Sequence, residues 1–218
     1  MIQCDGAIDG FENMRRDTEL LSLAEKGDPA CRVYAWDGPW VSLGRFQSPE
    51  KDLVDPHGTR WVIRPTGGKA VLHGHDVTVG FAVPLSYLVN IDHRSIRNIY
   101  RELIRPVVTA LRACGVKAAL AEDTRYSNKG NRTADCFAFA SPNDIVDEAT
   151  GLKVCGCALR LTQKAVLLQA SVPNGKPLVE PVEVIVNAKK HIPFEWDSGS
   201  FCQALGSDLC KMIPVSVA

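Results

Sequence analysis

The spacing of apolar residues along this chain predicts two long helices. The first covers Glu12–Ala24, with inward-facing side chains predicted at Met14, Leu20, Leu21 and Leu23. The second runs from an N-cap at Ser95 to Cys114, and Gly115 supplies its C-terminal stop. Pro106 lies inside the second pattern, so the sequence predicts a kink or a break there.

Apolar runs of strand length predict a sheet in the rest of the chain. The predicted strands are Arg32–Trp36, Trp40–Leu43, Trp61–Arg64, Val77–Pro84, Phe137–Ala140, Ile145–Val146, Leu152–Leu161 and Ala165–Val172. The turn 37–39 is predicted to pair the first two strands, and polar residues 124–133 are predicted to form a mobile loop. We therefore expect a mixed α/β fold, a largely antiparallel sheet flanked by helices, as a single domain over residues 1–218.

Composition and charge narrow the class of protein. The chain is 45% hydrophobic and 23% charged, and its 25 Lys and Arg residues balance 25 Asp and Glu residues. Zero formal charge argues against extended nucleic-acid binding. No apolar run approaches the roughly 20 residues of a membrane helix, and the N-terminal residues do not resemble a secretory signal. We expect a cytoplasmic protein that acts off the membrane, with a monomer as its simplest state.

The cysteines do not have the spacing of a zinc site. There are eight, and none forms a paired C-x-x-C unit, so we expect reduced thiols in the cytosol. Cys155-Gly-Cys157 and His73-Gly-His75-Asp76 are weak patterns for a metal, and we predict no metal site.

The segment Arg64–His73, Arg-Pro-Thr-Gly-Gly-Lys-Ala-Val-Leu-His, is the strongest local candidate for a ligand site. Gly67 and Gly68 lack a Cβ, so they can adopt positive φ and admit a ligand close to the backbone. The cations Arg64 and Lys69 and exposed N–H groups would suit a phosphate or a polarised carbonyl. The alternative is a turn that merely requires glycine.

Nucleotide motifs do not fit this segment. A P-loop fails because Ile63 takes the first glycine position and Ala70 follows the Gly-Lys pair, and the chain has no G-x-G-x-x-G. The chain also lacks the G-x-S-x-G of serine hydrolases.

A second candidate is the cysteine of Asp135-Cys136-Phe137, which follows the predicted polar loop. A thiolate is a strong nucleophile when a cation stabilises it, and Lys153 is the nearest cation along the following sequence. A buried structural cysteine and a solvated lysine are the alternative.

Taken together and in order, these segments resemble the lipoate–protein ligase A/octanoyltransferase family, also called the biotin/lipoate protein ligase family. The resemblance covers roughly residues 10 to 172 and is carried by Asn13-Met14, Arg32–Trp36, Ser42–Gln47, Arg64–His73 and Lys153–Ala158. It implies the fold of that family's catalytic domain. Asp135–Ser141 resembles the nucleophile segment of the cysteine-dependent octanoyl-[acyl carrier protein]:protein N-octanoyltransferases.

The resemblance implies an acyltransferase of protein lipoylation that needs no cofactor. Acyl carrier protein would donate an octanoyl or lipoyl group to Cys136, and a lysine of a lipoyl domain or glycine-cleavage H protein would accept it. Lys153 would stabilise the thiolate and help to deprotonate the incoming amine. The residues implied to bind substrate are Arg64, Gly67, Gly68, Lys69, Ala70, His73, Gly156 and Cys157, the last two offering an oxyanion donor.

Two alternatives remain open. Ser141–Asp144 is similar to the G-x-N-D motif of ATP-dependent lipoate or octanoate ligases, which would use ATP and Mg and hold an acyl-adenylate at Lys153. The other is a non-catalytic acyl-binding member, since Asp135 stands where a small residue is typical and would raise the thiol pKa if it pointed at Cys136. Cys136 and the short tail after Val172 favour the transferase.

Overall fold

The computed structural model describes residues 2–89, 91–92, 95–127 and 133–212. Its strands are β1 (Ile2–Ile8), β2 (Ala30–Trp36), β3 (Trp40–Leu43), β4 (Trp61–Ile63), β5 (Val71–His73), β6 (Asp76–Pro84), β7 (Ala118–Leu120), β8 (Ile145–Asp147), β9 (Lys153–Leu161) and β10 (Ala165–Pro173). Its α-helices are α1 (Gly10–Glu25), α2 (Pro49–Asp52), α3 (Ile96–Ala113), α4 (Pro181–Val184) and α5 (Phe201–Met212).

Seven of these strands form a large sheet in the order β1-β2-β6-β10-β9-β8-β7. Among the strands described, β1 and β2 pair in parallel and the other neighbours in this sheet are antiparallel. Helices α3 and α5 cover one face, and α1 covers the other. In β10, Leu168 faces the first layer and Leu167 the second, because successive side chains of a strand alternate. The predicted fold class is confirmed.

A second, smaller sheet has the order β4-β3-β5. The strand β3 pairs in parallel with β4 and antiparallel with β5. The predicted pairing of 32–36 with 40–43 is therefore wrong. The turn 37–39 carries the chain out of the large sheet, where β2 instead pairs with β1 and β6.

The two predicted helices form, with corrections of detail. The carboxylate of Asp9 caps α1, and its buried stripe continues from Leu20 and Leu21 to Ala24. Leu23 is 42% exposed, so its predicted inward position is wrong, because Ala24 takes that place against the sheet. Helix α3 begins after Ser95 and is unbroken at Pro106, since the residues around the proline are packed into the core.

Other parts of the chain differ from the sequence prediction. The predicted strand Phe137–Ala140 is a turn, because the Asp135 carboxylate accepts a hydrogen bond from the Phe137 N–H and curls the backbone. Strands β1, β5 and β7 and helices α2, α4 and α5 were not predicted. Residues 128–132 of the predicted polar loop lie outside the described residues. None of the described helices combines the length and apolar character needed to cross a bilayer.

Candidate active site

Arg64 follows β4 and holds the glycine segment from beneath. Its buried guanidinium donates to three backbone carbonyls, those of Gly67 at 2.7 Å, Lys69 at 2.6 Å and Ser42 at 2.8 Å. These bonds tie the glycine turn to β3. Arg64 therefore fixes the position of the glycine turn.

Two glycines are required by the geometry of this turn. Gly68 has φ +86°, and a Cβ there would lie 2.9 Å from Nη2 of Arg64. At Gly44, which follows β3, a Cβ would lie 2.0 Å from the carbonyl oxygen of Gly68. Gly67 differs, because its Cβ would meet only Phe46, at 4.0 Å.

The segment after the glycines fixes the position of Cys136. The N–H of Ala70 donates to the carbonyl of Ala134 at 2.8 Å, and the N–H of Cys136 donates to the carbonyl of Ala70 at 2.9 Å. Ala70 and Asp135 form an isolated parallel bridge. The predicted nucleophile is thus attached by backbone hydrogen bonds to the glycine segment.

Lys153, the first residue of β9, places its ammonium beside Cys136. Its Nζ lies 3.3 Å from Sγ and 2.7 Å from the carbonyl oxygen of Cys136, and it donates to Asp144 at 2.7 Å. Burial alone would lower the pKa of Lys153, but the negative charges of the Cys136 thiolate and Asp144, and its hydrogen bonds to both, raise it above its ordinary value. Lys153 held as an ammonium can act as the counter-ion of a thiolate, but it cannot act as a base in that form. The sequence did not identify Asp144 as the carboxylate partner of Lys153.

Cys136 is half-buried, and its sulfur packs closely against β9. A Cβ at Gly156 would lie 2.9 Å from Sγ, so glycine makes room for the thiol there. Asp135 engages its two carboxylate oxygens with the N–H groups of Phe137 and Lys189. Burial raises the pKa of Cys157, so that thiol stays protonated.

These parts meet in a cavity with about 390 Å³ of empty space, its open mouth included. Its wall contains six predicted residues, Arg64, Gly68, His73, Cys136, Gly156 and Cys157. Sequence reasoning missed the apolar side chains of Met14, Tyr34 and Trp36, which come from α1 and β2.

Three predicted substrate-binding residues do not line this cavity. Gly67 and Lys69 turn their carbonyls toward Arg64, and Ala70 is fully buried between the segments it joins. That these three residues bind substrate stays a prediction, and the structure places them behind the residues that line the cavity.

His73 lies in a buried hydrogen-bond chain at the end of β5. Its Nε2 is 2.8 Å from Oγ of Ser42, and its Nδ1 is 2.8 Å from Oδ2 of Asp76. Trp36 stacks on the imidazole at 3.9 Å. His75 of the same segment instead contacts His191, and the described residues hold no group of three or more His, Cys, Asp or Glu side chains suited to a metal.

Comparison with known proteins agrees with this architecture. The family described as Lipoyl protein ligase A/B catalytic domain matches residues 9–191. The chain belongs to this family. The resemblance seen in the sequence is thereby confirmed.

Curated relatives in the family carry the name Octanoyltransferase LipM. That of Anoxybacillus flavithermus is 34% identical over 167 residues, which are 72% of this chain and 58% of the relative. That of Symbiobacterium thermophilum is 29% identical over 212 residues, covering 90% of this chain and 75% of the relative. The chain spans about three-fifths of the length of the first relatives it matches.

Solved structures of the family share the fold. The T. acidophilum protein Ta0514 with bound lipoic acid superposes with a TM-score of 0.73 at 18% identity, covering 97% of this chain and 84% of that one. A lipoate-protein ligase A bound with ATP gives a TM-score of 0.70 at 17% identity, covering 97% and 85%. At these identities the match establishes the fold alone.

Proposed function

We propose that this family member is an octanoyltransferase of protein lipoylation, in which Cys136 carries the octanoyl group between donor and acceptor. The observation that carries the proposal is the 3.3 Å contact between Sγ of Cys136 and the buried ammonium of Lys153. A cation at this distance stabilises a thiolate, which is the nucleophilic form of cysteine. The names of the curated relatives support octanoyl transfer as the reaction.

The first transfer is a thioester exchange. The Cys136 thiolate attacks the carbonyl carbon of octanoyl–acyl carrier protein, a new C–S bond forms, and the bond to the carrier's sulfur breaks. The carrier leaves as a thiolate. The absence of a side chain at Gly156 lets Sγ lie close to β9, and the N–H of Gly156 or Cys157 is the proposed oxyanion donor.

The second transfer forms the amide. The ε-amine of a lysine on a lipoyl domain or glycine-cleavage H protein attacks the octanoyl–Cys136 carbonyl, and the C–S bond breaks to return the Cys136 thiolate. The thioester is already activated, so the proposed cycle uses neither ATP nor a cofactor.

Intact-protein mass spectrometry tests the covalent step. After incubation with octanoyl–acyl carrier protein, the wild-type protein should gain one octanoyl group, and Cys136→Ala should gain none and should not acylate apo-H protein. Cys157→Ala, a second thiol on the cavity wall, is the matched control and should still be acylated. Transfer by Cys136→Ala would contradict the mechanism.

An ATP-dependent ligase is the second candidate, and Asp144 favours it. This residue ends the segment similar to the ligase motif, and it binds Lys153 at 2.7 Å. Free octanoate, ATP and Mg with apo-H protein, without carrier protein, should give no product if the transferase proposal is correct. Product under these conditions would establish the ligase, and no acylation under either set of conditions would leave a binding protein.

A further inference from the structure

Ser42, His73 and Asp76 form a hydrogen-bond network that could conduct a proton, and this network borders the cavity at Cys136. The three residues come from β3, β5 and β6 and are 2%, 3% and 6% exposed. Two contacts of 2.8 Å join them in that order. Ser42 and His73 line the cavity that also contains Cys136.

The partners at the two ends fix the direction of these hydrogen bonds. Nη1 of Arg64 donates to Oγ of Ser42 at 3.2 Å, and a guanidinium has no acceptor. Asp76 accepts from the hydroxyls of Ser171 at 2.6 Å and Thr78 at 2.9 Å, so its carboxylate is an acceptor. His73 therefore donates from Nδ1 to Asp76, and its Nε2 accepts from the Ser42 hydroxyl.

Asp76 is ionised at the end of this hydrogen-bond network. Burial alone would raise the pKa of Asp76, but its interactions with His73 and Ser171 lower it to about 2. A carboxylate fixed in this way stabilises an imidazolium on its partner. The Asp76 carboxylate would therefore stabilise a proton that reaches His73.

The second transfer needs such a group. An amine that attacks a thioester must lose a proton before the amide is formed. Lys153 is less suited to accept it, because the Asp144 carboxylate and the carbonyl oxygen of Cys136 hold its side chain as an ammonium. Ser42 and His73 offer an acceptor on the wall of the same cavity.

We propose that Ser42 and His73 accept the proton of the incoming lysine amine in the second transfer, with Asp76 as a positioning residue; this rests on the proposed function. As the C–N bond forms and the C–S bond breaks, an amine proton passes to Oγ of Ser42. The proton of that hydroxyl passes in turn to Nε2 of His73. Release of the product returns the proton to solvent.

The two half-reactions separate this role from a structural one. His73→Gln keeps an acceptor for the Ser42 hydroxyl but offers no basic nitrogen. In single turnovers, it should form the octanoyl-enzyme within about threefold of the wild-type rate and pass octanoyl to apo-H protein at least about 100-fold more slowly. Ser42→Ala should show the same split and serves as a second variant if His73→Gln does not fold.

The rate at which the acyl-enzyme reacts with hydroxylamine distinguishes a missing proton acceptor from a structural defect, since a structural defect would slow this reaction as well. Hydroxylamine also loses a proton when it attacks, but it is small enough for solvent water to accept that proton, so the acyl-enzyme of His73→Gln should react with it at about the wild-type rate. Thr66→Val is the matched control, because it removes the hydrogen bond from the glycine turn to Gln169 and leaves the proton chain intact. It should affect both half-reactions alike.

Three outcomes would overturn the proposal. Equal losses of His73→Gln in both half-reactions would indicate a structural histidine. Unchanged transfer to apo-H protein would show that no proton passes through it. A wild-type protein that forms no octanoyl-enzyme would overturn the proposed function itself, and would be distinguished by the missing mass increment.

Discussion

At the scale of single residues, one buried ammonium is shared by two negative groups. Nζ of Lys153 contacts both Cys136 and Asp144, and its side chain is only 5% exposed. Removing one partner from a buried charge network is costly, because the remaining charges lose their compensation. Lys153 therefore links the reactivity of Cys136 to the stability of the fold around it.

Replacing this lysine should lower the reactivity of Cys136. We expect Lys153→Met to slow alkylation of Cys136 by iodoacetamide at pH 7 at least about tenfold, because the sulfur would lose the cation that lies 3.3 Å from it and stabilises the attacking anion. The same variant should lose about 3 kcal/mol of unfolding free energy. Site-resolved peptide mass spectrometry and urea denaturation measure the two effects.

Two controls accompany this measurement. Lys153→Arg keeps a cation beside the sulfur and should react faster than Lys153→Met. Lys164→Met removes an exposed lysine between β9 and β10 and should behave as wild type. Alkylation of Lys153→Met at the wild-type rate would contradict the counter-ion role.

Some of these residues could be predicted from the sequence and others could not. Cys136 and Lys153 were predicted together because each has distinctive chemistry and lies in a segment with a family pattern. Asp144, Ser42 and Asp76 were not assigned, since their importance comes from partners 9, 31 and 3 residues away that only the folded chain brings together. Ser42 and Asp144 lie within segments that resemble the family, and Asp76 lies within the weak metal pattern His73-Gly-His75-Asp76, so each position carried some signal.

At the scale of elements, hydrophobic periodicity predicted where strands lie but not which strands pair. Alternation identifies β2 and β3, yet it contains no information on partners, and the two belong to different sheets. Phe137–Ala140 is apolar enough for a strand, but the side chain of Asp135 turns its backbone. In α5, Phe201, Leu205 and Leu209 recur at a helical spacing that could have been recognised.

The glycine turn gives an element-scale prediction with a built-in control. Gly68→Ala should lose about 1–2 kcal/mol of unfolding free energy, because an alanine at positive φ is strained. Its Cβ would also push against Arg64, so octanoyl-enzyme formation should slow. Urea denaturation and single-turnover acylation report the two effects.

The adjacent glycine should behave differently. Gly67 has no positive φ, and its added Cβ would meet only Phe46 at 4.0 Å, so Gly67→Ala should stay within about 0.5 kcal/mol of wild type. Equal losses of unfolding free energy at both positions would show that the positive φ of Gly68 does not determine which side chains the turn accepts.

At the scale of the whole molecule, the cavity exists because two sheets are joined. The bridge between Ala70 and Asp135 and the hydrogen bond from Thr66 to Gln169 connect the small sheet to the rest of the fold. No local pattern in the sequence encodes such a junction.

The turn from β5 to β6, which connects the small sheet to the large one, predicts how stability depends on pH. His75 packs against His191 at a ring distance of 4.9 Å, and neither of its ring nitrogens has a hydrogen-bond partner among the described residues. Burial lowers the pKa of His75 from 6.5 to about 4, with the neighbouring His191 and His73 adding to the effect and Asp76 opposing it. Between these values the unfolded chain binds more protons than the folded protein, so stability must fall as the pH falls from 6.5 to 4.

Replacing this ring by one that does not titrate should remove that dependence. From pH 7 to pH 5 the wild-type protein should lose about 1–2 kcal/mol of unfolding free energy through His75, and His75→Phe should lose correspondingly less. The phenyl ring keeps the contact with His191 and leaves no unpaired nitrogen, so stability at pH 7 should be retained. Urea denaturation of both proteins at each pH measures the difference, in which the other histidines cancel. Parallel losses in the two proteins would show that the pKa of His75 is the same in the folded and unfolded states, as for a solvated ring.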